Sequence, residues 1–229
     1  LNEKNEVKAL QPTAEGYLYC MDHMLAGSED SRFEGHNLIF QDEIFNNAIN
    51  RMKRMYNSAI SENAEYSYRD ETHLFNEGKL AIYINGVWGA PMISKQIDAK
   101  YALLPTDGGE SMSCISSGLG YVLGNSGNEE KEKAAVKFLK YMLSKKVQTK
   151  ILEKTEQIPA NPDISLESYK ESKGRLYQAA TLVLETDEKI EVPNNIWSAE
   201  QKDYFIKTIF DVLTGTLSIQ EFEEGLENK

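Results

Sequence analysis

The stretch 75–88, FNEGKLAIYINGVW, restricts the fold of this chain more than any other part of it. Glu71, Thr72, Leu74 and Phe75 fit a short helix, and Gly78 falls where a helix ends on a left-handed residue that only glycine adopts without strain. Residues 80–84 (Leu, Ala, Ile, Tyr, Ile) are an apolar run rich in branched and aromatic side chains, the composition of a strand covered on both faces. Asn85-Gly86 then reads as a turn, because this pair takes positive φ cheaply. Val87 and Trp88 follow at the carboxyl end of that strand and open a new helix. Open α/β sheets bind ligands at such ends, and an indole offers a flat apolar face with an N–H beside it.

The rest of the chain alternates in a compatible way. Val7, Ala9 and Leu10 supply a short strand that Pro12 ends, and 15–26 is a helix carrying Tyr17, Leu18, Met21, Met24 and Leu25, closed by Gly27. A polar loop covers 27–38. The stripe of Ile44, Phe45, Ala48, Ile49, Met52, Met55, Tyr56 and Ala59 makes 41–60 a core-packing helix. Beyond Trp88, 90–97 reads as a helix with Pro91 in its first turn, 101–104 as a buried strand, 106–117 as a loop and 119–123 as a further strand. Ala134, Ala135, Phe138, Leu139, Met142 and Leu143 pattern a helix over 128–143, with a shorter one at Val147, Ile151 and Leu152. Residues 169–184 are helical, 186–192 a charged connector and 193–197 irregular. Ser198 with Gln201, and Ser218 with Glu221, have capping-box spacing ahead of two last helices separated by Gly215.

Composition excludes several functions. A net charge of −11 argues against a nucleic-acid partner, since phosphate binding draws on clustered Lys and Arg. The short basic pairs, Lys131 with Lys133 and Lys145 with Lys146, read as interleaved with glutamates along helices, as solvated surface is. No run reaches the roughly 20 apolar residues that span a bilayer. Cys20 and Cys114 stand too far apart for a metal knuckle or a C-x-x-C pair, so free thiols are expected. His23, His36 and His73 have no spacing that puts two on one metal. Gly118, Gly120 and Gly124 do not open a helix as a dinucleotide fingerprint must, and Ser116-Ser117-Gly118 is not G-x-S-x-G. Paired carboxylates abound, but the roughly 5 to 10 Å separation needed for glycoside hydrolysis cannot be read from spacing. No cofactor, metal or catalytic motif is expected.

Phe, two residues, Gly-Lys, a strand and Asn-Gly-x-Trp, as they stand at 75–88, resemble the signature of family 1 extracellular solute-binding proteins, the maltose-binding-protein-like receptors of ABC importers. The segment from Gly118 through the AAxxFLxYxLS-like helix to Ile158-Pro159, and the C-terminal order of Pro193-Asn194, long helix, Gly215 and Ser218-x-x-Glu221 helix, are similar to the same family. The resemblance implies an α/β, periplasmic-binding-protein-like (type II) two-lobed fold. It places Trp88 in the ligand cleft. Glu15 and Tyr17 match sugar-contacting positions at a helix start, where an acidic residue also suits the positive end of the helix dipole, and both readings stand. Asn194 and Trp197 fall near a cleft-lining segment, though Trp197 does not match residue for residue.

The same resemblance implies a chain that begins inside the second lobe; Leu1 carries no methionine or signal peptide before it. Residues 1–112 and 165–229 would form that lobe, and 113–164 the crossings plus part of the first lobe. The implied function is a non-catalytic, extracytoplasmic component that binds an oligosaccharide between lobes and delivers it to ABC permease subunits, either periplasmic or lipid-anchored. An apolar face left by an absent half would favour dimerisation or swapping. The alternatives are a secreted carbohydrate-active enzyme, a helix-rich interaction module, and a receptor for a non-sugar solute.

Overall fold

A computed structural model describes residues 7–10, 12–26, 43–59, 67–105, 112–115, 120–186 and 188–229. The expected loop at 27–38, with His36, and the residues from Ser116 to Leu119 lie outside them. The elements in order are β1 (Lys8–Leu10), α1 (Ala14–Ala26), α2 (Glu43–Ala59), α3 (Tyr68–Asn76), β2 (Leu80–Ile82), β3 (Met112–Ile115), α4 (Glu129–Met142), α5 (Lys145–Thr155), α6 (Gly174–Glu185), β4 (Glu188–Glu191), α7 (Ala199–Thr214) and α8 (Ile219–Glu227). Short 3-10 turns occupy Val87–Met92, Leu166–Tyr169 and Pro193–Ile196.

The chain forms two compact units. The first comprises Leu1–Asn85, Ile93–Ser116 and Glu185–Lys229, and the second Gly86–Met92 and Ser117–Leu184. In the first, β1 pairs parallel with β2 (Leu10 opposite Ile82), and β3 pairs parallel with β4 (Met112 opposite Glu188, Ile115 opposite Glu191). Its core gathers Tyr17 and Met21 of α1, Phe45, Ile49 and Met52 of α2, Phe205, Ile209 and Val212 of α7, and Phe222 and Leu226 of α8, all fully buried. Phe222 stands at the centre of an aromatic group, with ring centroids 5.6 Å from Phe205, 5.8 Å from Tyr204 and 6.3 Å from Phe45. Burial of this kind supplies most of the stability of such helices.

Local signals set the helix ends. Ser198 and Ser218 both close full capping boxes, with Gln201 and Glu221 returning bonds to the cap backbones. Helix α3 stops in a Schellman arrangement, in which Gly78 N–H donates to Phe75 O and Lys79 N–H to Leu74 O, with Gly78 at φ 73°. In the second unit Asn128 caps α4, accepting from Glu130 and Lys131 N–H at 3.1 Å each. Helix α5 ends on Glu156, a non-glycine in the left-handed region at φ 53°, where Lys173 Nζ donates to the Glu153 carbonyl (3.1 Å) and to Glu156 Oε1 (2.9 Å).

Several elements depart from the sequence expectation. The strand of 80–84 is shorter and is not covered on both faces: Ile82 is 54% exposed. Gly86 is not among the residues with positive φ, so the Asn85-Gly86 pair makes no left-handed turn. The helix of 90–97 is a single 3-10 turn that starts earlier, at Val87. Tyr101–Leu104 and the described part of 119–123 form no strand, whereas the charged connector contains β4, which β3 recruits by parallel pairing.

Candidate functional site

Trp88 stands in the second unit, second residue of the 3-10 turn that Gly89 N–H closes by donating to Gly86 O at 2.9 Å. Gly89 and Ala90 are buried and anchor the turn, while Trp88 itself is 48% exposed. A large aromatic with half its surface open presents an apolar face with an N–H at its rim.

In the first unit, Glu15 lies in the first turn of α1 and is half-buried. Tyr17, two residues on and on the opposite side of the helix, is fully buried and packs edge-on against Phe210 at 5.8 Å. Burial, then the neighbouring Cys20, Tyr56 and Glu71, raise its phenol well above the ordinary value, and its hydroxyl has no hydrogen-bond partner. Trp197 is a core residue, tilted against Phe205 at 5.7 Å. Asn194 is committed to Asp22: its backbone N–H donates to Oδ1 at 2.8 Å and its side-chain amide donates to Oδ2. Burial pushes the Asp22 carboxyl up to about 6, against the pull of those two bonds. Among the five expected site residues, then, Trp88, Glu15 and Asn194 retain exposed surface, Asn194 with its amide bonded to Asp22, whereas Tyr17 and Trp197 are buried in the first unit.

Beside Glu15 runs a polar aromatic group that residue patterns did not single out. Tyr68 and Thr72 share a face of α3 four residues apart, and Tyr83 and Asn85 share a face of the extended segment after β2 two residues apart. Thr72 Oγ1 and Tyr83 OH are hydrogen-bonded at 2.8 Å, and the Asn85 amide donates to Tyr68 OH (2.8 Å) and Tyr83 OH (2.5 Å). Phe75 stacks on Tyr83 at 5.4 Å. The Tyr19 phenol is raised by burial first, then by Tyr68 and Glu15. Beneath the group, the Glu71 carboxyl accepts hydrogen bonds from the Thr13 backbone and hydroxyl, and burial nevertheless pushes it up to about 8. The i,i+4 and i,i+2 spacings were readable, but their convergence across 11 and 17 residues was not.

The family of bacterial extracellular solute-binding proteins matches residues 12–176, well over half of the 229. The chain belongs to that family. Its members act outside the cytoplasm, and no helix among the described residues is long and apolar enough to cross a membrane. No curated protein matches the chain. Among solved structures, a Streptococcus pneumoniae solute-binding protein in complex with the blood group A-trisaccharide shares 22% identity at a TM-score of 0.81, over 99% of this chain and 59% of that one. A chitin oligosaccharide binding protein shares 17% at 0.76, covering 97% and 58%. The maltose/maltodextrin-binding domain from Bdellovibrio bacteriovorus, bound to maltotriose, shares 20% at 0.73, covering 99% and 60%. These likenesses establish for this solute-binding chain the α/β, type II periplasmic-binding-protein fold. The chain spans about 60% of the length of the structures it matches.

The two cysteines are not activated as nucleophiles. Burial pushes the Cys20 and Cys114 thiols up to about 12, so both stay protonated at neutral pH, and both are free. Cys114 Sγ lies 3.9 Å from His23 Nδ1, but burial lowers the His23 pKa and leaves a neutral imidazole beside a neutral thiol. Among the described residues no group of His, Cys, Asp and Glu could hold a metal ion.

Proposed function

We propose that this chain is part of a non-catalytic, extracytoplasmic carbohydrate receptor that serves an ABC importer, with Trp88 as an aromatic platform for a sugar ring. The observation that carries the reading is the exposed indole of Trp88 on its 3-10 turn. Sugars present C–H faces to such rings and hydroxyls to polar side chains around them. The oligosaccharides bound by the three similar structures favour a sugar over another solute class. Delivery to permease subunits completes the reading, in keeping with the extracellular solute-binding family to which the chain belongs.

The test is a titration of maltotriose, chitotriose and blood group A-trisaccharide followed by tryptophan fluorescence and calorimetry. Trp88→Ala should weaken binding by about 1 to 3 kcal/mol, with thermal stability nearly unchanged. A core tryptophan behaves oppositely, losing about 3 to 5 kcal/mol of stability on truncation. Unchanged affinity with a large stability loss would reject the platform, and sugar cleavage products in the same samples, resolved by chromatography, would point to an enzyme.

A further inference from the structure

Gly86 stands where it does for a reason other than backbone freedom. Gly78, Gly127 and Gly215 have φ of 73°, 63° and 84°, the left-handed region that favours glycine, and Gly86 does not. An L-residue could therefore take its backbone. What forbids a side chain is Trp88: a Cβ on Gly86 would lie 2.1 Å from Cζ3, 2.2 Å from Cη2 and 2.5 Å from Cε3 of the indole. The benzene half of the ring rests on the Gly86 backbone while Trp88 keeps 48% of its surface open. Gly225 shows the same overlap with Tyr204, where a Cβ would lie 2.1 Å from the hydroxyl oxygen. There, core packing accounts for the close approach, since the Tyr204 ring is stacked on buried Phe222. At Gly86 the ring so seated is half exposed.

We propose that Gly86 is a positioning residue for solute recognition: its missing side chain is the seat that fixes the pose of the Trp88 ring. The inference rests on the reading of Trp88 as the platform. A methyl group at position 86 meets the far end of a side chain that can swing about χ1 and χ2, so it displaces the ring rather than the backbone. Gly86→Ala thus leaves the fold intact, turns the indole off its seat and weakens the sugar contact that depends on its orientation.

The experiment uses protein carrying 5-fluorotryptophan, whose two tryptophans give two fluorine resonances, with that of Trp88 assigned from Trp88→Phe. Gly86→Ala should move the Trp88 resonance and leave the Trp197 resonance and the melting temperature in place. Calorimetry with the same three sugars then follows on the wild type, Gly86→Ala, Trp88→Ala and the double variant. Gly86→Ala should weaken binding about tenfold, the scale of one aromatic contact, and produce no further loss once Trp88 is absent. An unmoved resonance overturns the proposal, as does a moved resonance with unchanged affinity, or an equal loss in the Trp88→Ala background. Failure of the wild type to bind any of the sugars would reject the platform reading itself. The resonance, recorded without sugar, would still decide whether Gly86 seats the ring.

Discussion

Helices α7 and α4 are comparable in sequence and opposite in what they bury. Helix α7 puts Phe205, Ile209, Val212 and Leu213 into the core of the first unit. Helix α4, in the second unit, buries no residue: Val136, Phe138 and Tyr141 are 38%, 55% and 58% exposed, and Leu143 just beyond it is 48% exposed. Both carry a side-chain N-cap. An apolar stripe at helical spacing therefore reports a face suited to burial without reporting what covers it. Helix α4 is specified by local means instead: the Asn128 cap, three glutamates in its first turn, Lys140 in its last, and the exposed Glu129–Lys133 pair at 2.6 Å.

The largest test of this contrast removes an aromatic from each helix. Phe205→Ala should destabilise the first unit by about 3 to 5 kcal/mol in urea unfolding followed by circular dichroism. Phe138→Ala should remain within about 1 kcal/mol. Equal losses would mean that the face of α4 is covered in solution.

Next in size is the pH dependence carried by Glu71. Its carboxyl is 1% exposed and pushed up to about 8 by burial, then by Glu15, against hydrogen bonds from Thr13; the phenols of Tyr17, Tyr19 and Tyr83 and the Cys20 thiol also face it. A carboxyl whose folded pKa lies above its unfolded value binds its proton more tightly in the folded state. Its contribution is thus most favourable below the ordinary value of 4.5 and declines as pH rises from there through about 8. Glu71→Gln keeps an acceptor for Thr13 and removes the charge. Above pH 8 it should be more stable than the wild type, on the order of 2 to 4 kcal/mol, with the advantage gone near pH 4. Parallel melting curves for the two proteins across this range would sink the assignment.

The smallest expected effects come from the caps. Ser198→Ala should lower the stability of the first unit by about 1 kcal/mol. Asn128→Ala should act mainly on α4, raising amide hydrogen exchange in its first two turns with little change in global unfolding. A global loss from Asn128→Ala as large as that from Ser198→Ala would erase the distinction between the two helices.

What could be read from residues alone followed how local its cause was. The stripe of α2, the capping boxes at Ser198 and Ser218, and the Schellman end at Gly78 rest on neighbours within a few positions, and each is present. Strand β4 escaped notice because Glu188, Lys189 and Glu191 read as a solvated connector; a strand there depends on pairing with β3, more than 70 residues earlier. The exposure of Ile82 escaped because a short apolar run does not say which of its faces will be covered. At the candidate site, Asn85-Gly86 was legible as punctuation but not in kind, since the need for glycine arises from the ring two residues later rather than from φ. Burial of Tyr17 and Trp197 is likewise tertiary: Phe210 and Phe205, which receive them, lie on α7.

The parallel pairing of β3 with β4 bears on how the polypeptide could be cut. Ile115, at the end of β3, lies opposite Glu191 at the end of β4, so the chain leaving β3 must return about 10 Å along the strand axis to start β4 at Glu188. The stretch Ser117–Leu184 is, in topological terms, an insert between adjacent parallel strands. A spliced gene that replaces it with a crossover of about a dozen residues, the span that joins parallel neighbours, would encode the Phe222-centred body as a minimal scaffold.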